Sequence, residues 1–191
     1  MTDYQRIINL FYGTADSELK TLLLSHSRAV ADKALRGCDA HPELSLDREF
    51  VEAAAMLHDI GIIRCDAPGI HCHGTEPYIR HGLMGARMLM DLDDGLLLEK
   101  EAFARVCQRH TGAGITREEV AAQQLPMPLP SGTDEPYMPE SMEEMLVCYA
   151  DKFFSKSRPE QEKTFEQACR SLAKFGDGGV ERFTAWHRLF G

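Results

Sequence analysis

No run of about 18 apolar residues occurs in the chain, so nothing in it is expected to span a bilayer. The opening MTDYQRIINL lacks the basic, apolar and small-residue order of a secretory signal, which makes a cytoplasmic location the expectation. Basic residues are in the minority: 21 lysines and arginines face 30 aspartates and glutamates, a formal charge of −9. That excess leaves no global positive field to attract a nucleic-acid duplex or an anionic membrane, so an anionic substrate must meet local charge. None of the six cysteines (Cys38, Cys65, Cys72, Cys107, Cys148 and Cys169) stands in a C-x-x-C pair, which argues against a zinc ribbon or a thioredoxin-like motif. They are expected to be free thiols serving as small apolar residues. Cys72 differs in lying between His71 and His73, where a soft-metal site is one reading. No internal repeat, low-complexity tract or interdomain linker is visible.

What is present is helix. Apolar residues recur at helical spacing in ADSELKTLLLSHSRAVADKAL, with Thr14 or Asp16 available as a cap, and in SLDREFVEAAAMLHD, with Asp47 as the cap. Two further helices are expected over YIRHGLMGARMLM and about Leu96 to His110. Gly85 would let another backbone or a ligand come close to the first of these. Five of the nine prolines fall between Pro126 and Pro139, which marks a long surface excursion and a candidate lid. SMEE at 141–144 reads as a capping box that starts a helix through Asp151. SRPE at 157–160 reads as the start of another, and GDGG at 176–179 as the break before a last helix ending near Phe190. No strand pattern is convincing. The fold class is therefore all-α, a single domain over 1–191 with a helical bundle core and C-terminal helices packed on it.

The helices share a feature that core packing does not explain. Four in succession put His26, His58 with Asp59, His81 and His110 on the face their apolar residues define as inner, and a fifth puts Asp151 there. Imidazoles and carboxylates are costly to bury without partners, and convergence on a cation would satisfy all of them. The donor types suit zinc, iron, manganese and similar divalent ions. A structural zinc saturates with four ligands; six candidates are the right number for two metals with a bridging carboxylate and open positions for water. Successive helical residues point about 100° apart, so His58 and Asp59 can serve different directions.

The ordered set His26, His58-Asp59 and Asp151, with HDIG intact at 58–61, resembles the HD-domain superfamily of metal-dependent phosphohydrolases, all-helical proteins that use those four residues as primary metal ligands. The resemblance covers roughly residues 19–158. His81 in YIRHGLMGARML and His110 in RHTGAGIT look like the extra histidines of the two-metal branch, which includes the diadenosine-tetraphosphate hydrolases of the YqeK type. RHTGAGIT followed by YMPESMEEMLVCYAD looks closest to a small group of bacterial and archaeal HDIG-type proteins. The adjacent second histidine and GYP element of cyclic-di-GMP phosphodiesterases are missing, so the resemblance does not imply that activity.

The expected function is hydrolysis of a small phosphorylated metabolite or nucleotide. Two divalent ions, Fe or Mn before Zn, Ni or Mg, would be bridged by Asp59 and would activate water for in-line attack at phosphorus, with His58 and Asp59 at the catalytic centre. Substrate charge would be met by Arg64 and Lys156 first, then by Arg80, Arg109, Lys152 and Arg158. His73, with His71, is a candidate for ligand support or for a general acid, and His41 and His187 read as surface residues. Oligomerisation is left open. Two other functions fit the same residues: a di-iron oxygenase of a small substrate, and a catalytically silent metal-binding regulatory module.

Overall fold

The computed structural model describes residues 2–191. It is all-α apart from one small sheet. Helices α1 (Tyr4–Tyr12), α2 (Glu18–Ala40), α3 (Arg48–Leu57), α4 (His81–Met90) and α5 (Lys100–Arg109) precede a short α6 (Arg117–Ala122). Then come α7 (Met142–Asp151), α8 (Phe165–Leu172) and α9 (Asp177–Phe190). The bundle is built from two packed pairs, α2 on α3 and α4 on α5, with α7 running across both. Val30 and Ala34 of α2, Val51 and Leu57 of α3, Leu89 of α4, Val106 of α5 and Val147 of α7 are buried in one continuous core that also takes in Phe183 and Trp186 of α9. None of the helices is long and apolar enough to cross a membrane.

The local signals acted mostly as expected. Asp47 caps α3 by accepting from the Phe50 amide at 3.0 Å. The cap of α2 is Ser17 rather than Thr14 or Asp16, with its hydroxyl 3.2 Å from the Lys20 amide. Only half of the SMEE box forms: Ser141 accepts from the Glu144 amide, but the Glu144 carboxylate accepts instead from Glu140 N and from the guanidinium groups of Arg105 and Arg109. Two arginines on a neighbouring helix outbid one end amide. Reciprocal boxes occur at Thr116/Glu119 and Thr164/Gln167.

The Thr164 box moves the start of α8 to Phe165, so 157–164 is loop and not helix. α9 takes in Asp177, Gly178 and Gly179, and Gly176, at φ 115°, is the break. α5 begins at Lys100, after Glu99 at φ 54°, four residues later than the periodicity suggests. The proline-rich segment is non-helical, yet it is no free lid. Met127 and Tyr137 are buried with Ile115 and Val120 in a second small core, and the Arg117 guanidinium donates to the carbonyls of Pro130, Thr133 and Asp134.

Two unexpected elements shape the site. α1 delivers Tyr12, whose hydroxyl donates to the Ile60 carbonyl at 2.8 Å and accepts from the Ile63 amide at 3.3 Å. This pins the turn after His58-Asp59. A sheet of β1 (Cys65–Ala67), β2 (Cys72–His73) and β3 (Glu76–Pro77), in the order β2-β1-β3, then folds the chain back into α4.

The close approach foreseen at Gly85 is backbone on backbone. A Cβ on Gly61 would lie 2.1 Å from the His81 carbonyl oxygen and 2.2 Å from the Gly85 nitrogen. Neither contact can be relieved by a rotamer change, so Gly61→Ala should force the 3-10 turn Ile60–Arg64 off α4 and cost about 2 kcal/mol or more. Urea unfolding checks this; a midpoint equal to that of the wild type would contradict the crossing.

Candidate metal centre

The centre begins at the end of α3. His58 is its last αR residue, Asp59 turns at φ −101°, ψ 8°, and the 3-10 turn follows. α2 supplies His26 from its middle, α4 supplies His81 at its start, α5 ends on His110, and α7 ends on Asp151. All six residues are buried. Their ligating atoms fall into two groups, His26, His58, Asp59 and Asp151 in one and Asp59, His81 and His110 in the other.

Asp59 belongs to both because its two oxygens face opposite ways. Oδ2 lies 3.2 Å from His26 Nε2 and 3.3 Å from His58 Nε2, while Oδ1 lies 3.4 Å from both His81 Nε2 and His110 Nε2. Asp151 Oδ1 closes the first group, 2.9 Å from His26 Nε2 and 3.6 Å from His58 Nε2. Of these contacts the His26–Asp151 one is a hydrogen bond; the rest are ion-pair distances, and His58 Nε2 and both Asp59 oxygens are buried without a hydrogen bond. Groups of this kind are costly to leave unpaired.

The histidine tautomers sharpen the point. His58 Nδ1 donates to Ala55 O at 2.6 Å, His81 Nδ1 to Tyr78 O at 2.8 Å, and His110 Nδ1 to Cys107 O at 2.7 Å, each the carbonyl three residues back. A carbonyl can only accept, so each ring carries its proton on Nδ1 and turns Nε2 inward. Burial lowers His81 to about 3 and lowers His110 as well, which leaves both rings neutral. Two Nε2 lone pairs then face one another 3.0 Å apart. Only a cation or a donor between them makes that arrangement favourable. The six donors, all oxygen or imidazole nitrogen, therefore fit divalent metal.

At the other group charge is high. Burial would lower His58, but Asp59 and Asp151 outweigh it and hold the imidazole up at about 9. Burial would raise Asp59, but Lys156 and His58 hold it well below the usual carboxylate range; Lys152 and His26 do the same for Asp151. Lys156 Nζ lies 2.6 Å from Asp59 Oδ2, and Lys152 Nζ lies 2.8 Å from Asp151 Oδ2. These two ammonium groups stand where a cation is wanted.

Lys152 and Lys156 thus lie against the two carboxylates, and the other cations named from the sequence do not converge with them. Arg109 is buried against Glu140 and Glu144, and Arg80 donates to Pro126 O and Glu76. Both are consumed in holding loops. Arg64 is exposed at the end of the 3-10 turn, and Arg158 is exposed in the loop after α7. His73 is exposed on β2, and His71, at φ 61°, pairs with Glu18 at 3.2 Å. Among the described residues no cysteine joins either ligand group, and Cys72 is buried with its thiol pushed up to about 11. His187 is not free surface: Tyr149 OH lies 2.7 Å from its Nδ1 and its ring stacks on Phe165.

The HD domain, as a family, matches residues 23–155. The chain belongs to the HD-domain family. Among curated relatives, a tRNA (cytidine(56)-2'-O)-methyltransferase of Picrophilus torridus is 35% identical over 72% of this chain and 33% of its own length. An uncharacterised protein of Methanocaldococcus jannaschii is 33% identical over 68% of this chain and 63% of its own. A Thermoplasma volcanium protein named as the same methyltransferase is 28% identical over 98% of this chain and 46% of its own. This chain spans between one third and somewhat under two thirds of the length of these relatives. The crystal structure of the HD domain of the L. monocytogenes phosphodiesterase PgpH aligns with a TM-score of 0.49 at 14% identity, over 88% of this chain and 94% of that one. Residues 23–155 hold all six members of the His/Asp centre.

With His58 held up near 9, the metal-free site carries an imidazolium at neutral pH, and ligation requires that proton to leave. Metal affinity should fall as pH is lowered from about 9, and calorimetric titration at pH 7.5 in buffers of different ionisation enthalpy should show about one proton released. Binding without proton release would remove His58 from the ligand set.

Proposed function

We propose that this protein is a metal-dependent phosphohydrolase acting on a small phosphorylated metabolite or nucleotide, with two divalent ions held by the His/Asp centre. The observation that carries the reading is the division of Asp59, whose Oδ2 faces His26 and His58 while Oδ1 faces His81 and His110. His26, His58 and Asp151 would hold one ion, His81 and His110 the other, and Asp59 both. When bound, such ions lower the pKa of a coordinated water toward neutrality and polarise a phosphoryl oxygen. Iron or manganese suits the mixed imidazole and carboxylate set.

The chain's own residues supply position and charge. Carbonyls of Ala55, Tyr78 and Cys107 fix three imidazoles by their Nδ1 protons. Burial excludes bulk water from the carboxylates, so fixed charges act strongly there. Lys156 and Lys152, already within 3 Å of the two carboxylates, are placed to neutralise the non-bridging oxygens of a phosphoryl group. Tyr78, stacked on His81 with ring centroids 4.8 Å apart, braces that imidazole from outside.

The methyltransferase names borne by two relatives describe proteins of which this chain matches less than half. Nothing in a centre of four imidazoles and two carboxylates performs methyl transfer, so we assign that activity to the unmatched parts of those proteins.

Anaerobic purification with metal quantitation, followed by a panel of nucleotides, dinucleoside polyphosphates and sugar phosphates, tests the reading. Wild-type protein should bind metal and release phosphate or a nucleotide, whereas Asp59→Ala should lose at least one metal and all turnover. Retained turnover in that variant would sink the bridging assignment. Oxygen consumption with an iron signal and no phosphate release would replace the hydrolase by a di-iron oxygenase. Failure to take up any metal would sink the catalytic reading, and metal uptake without turnover of any substrate would leave the silent regulatory module.

A further inference from the structure

We propose that the cleft between the α7–α8 loop and α8 is a second anion subsite, which holds a phosphoryl group other than the one at the His/Asp centre. The proposal rests on the phosphohydrolase reading for its substrate, though not for its binding.

The loop over residues 152–164 is closed on itself. Lys163 N donates to Phe153 O at 2.8 Å, and Arg158 N donates to Ser155 O at 3.0 Å. One edge of the loop carries Lys156 to Asp59. The other carries Arg158 and Lys163 to a cleft of about 940 Å³, whose far wall is α8 and the turn after it, with Arg170 and Lys174. The same short loop therefore presents cations to the buried centre and to the cleft.

The lining has an unusual composition for an acidic protein. Four cations meet one carboxylate, Glu162, and that carboxylate is already engaged by Lys33 at 2.6 Å and Arg36 at 2.9 Å. Every other lining residue is a serine or glutamine, and no aliphatic or aromatic residue takes part. Arg158, Arg170 and Lys174 make no ion pair among the described residues. Lys163 is half-buried, with Nζ 3.4 Å from the carbonyl oxygens of Lys152 and Phe154, next in the chain to the centre. Burial pushes its ammonium down, and Lys152, Lys156 and Lys174 add to that against the pull of Asp151 alone. Lys152, Lys156 and Lys163 thus carry a line of ammonium groups along the loop from the centre to the cleft.

This chemistry selects the occupant. Guanidinium forks, ammonium groups, hydroxyls and amides match phosphate oxygens, and no aliphatic or aromatic residue stands in the cleft to select a hydrophobic ligand. A volume of this order suits a nucleotide-sized molecule. A membrane surface would need an exposed plane with apolar residues, and the cations here line a concavity instead. The ligand class is a compound with two or more phosphoryl groups, one cleaved and one held.

The test uses two probes, orthophosphate and β,γ-methylene-ATP, titrated into the metal-loaded protein with magnesium in excess and read by calorimetry. Wild-type protein should bind the triphosphate mimic at least tenfold more tightly than orthophosphate. The variant Arg158→Gln/Arg170→Gln/Lys174→Gln should reduce that ratio to within about threefold of unity. Arg158→Lys/Arg170→Lys/Lys174→Arg should keep it, as should Arg6→Gln/Arg87→Gln/Arg188→Gln, which removes the same charge elsewhere on the surface. If the first variant does not fold, Arg170→Gln and Lys174→Gln singly read the same ratio. A ratio unmoved by these changes, or lost equally in the distant control, overturns the proposal. Loss of turnover on every phosphoester with the ratio intact would sink the hydrolase reading and leave the subsite standing; turnover with a flat ratio would do the reverse.

Discussion

A carboxylate buried without a single hydrogen bond is the constraint on which the rest of this structure depends. Asp59 is fully buried, and neither of its oxygens has a hydrogen-bonding partner. Desolvating such a group is tolerable only where positive charge or a cation meets it. The protein supplies imidazole nitrogens on both sides and one ammonium, from Lys156. Four helices and the loop after α7 are arranged to bring those groups to one point. The same demand explains why three histidines spend their Nδ1 protons on carbonyls: a ring that donated at Nε2 would satisfy the carboxylate and leave nothing for a metal.

Bringing helix ends so close together requires the backbone to be bare where elements cross. Gly61 meets His81 and Gly85, and a Cβ on Gly82 would lie 2.3 Å from Cys107 O, so both flanks of His81 depend on glycine. The thiols do related work. Cys107 Sγ lies 3.3 Å from Leu57 O, and Cys148 Sγ lies 3.1 Å from His110 O, where each fills a small space and offers a weak donor beside a ligand. Burial pushes Cys148 up to about 12 and raises Cys107 further, so these are neutral spacers and not nucleophiles.

The helical faces were legible because period and burial obey one rule at every position: whatever lies in register with Leu23 and Val30, or with Ala54 and Leu57, points inward, and so do His26 and His58. Substrate donors were harder to read. Position beside a ligand on a helix says nothing of direction, and Arg109 and Arg80 were captured by Glu144 and the Pro126 carbonyl, partners 35 and 46 residues away. Tyr12 and the basic cleft were invisible for a similar reason. Each depends on a long-range closure, Tyr12 on the turn at Ile60 and the cleft on the Phe153–Lys163 bond. The strands of the small sheet are two or three residues long, too short for alternation to register.

The acidity of the chain takes on a specific meaning once its cations are located. A protein of charge −9 repels small anions at long range, so the phosphorylated substrate proposed for it would have to be captured by a local field. The loop after α7 concentrates that field: Lys152 and Lys156 face the carboxylates, and Arg158 and Lys163 face the cleft. Lys156 is the hinge of this arrangement. Its ammonium is paired with the Asp59 carboxylate, and under the proposed function an entering phosphoryl group would compete for it. Under the proposed function, a cation that engages the carboxylates would free Lys156 for the substrate. On that reading, filling the centre and recognising an anion would be coupled through a single side chain.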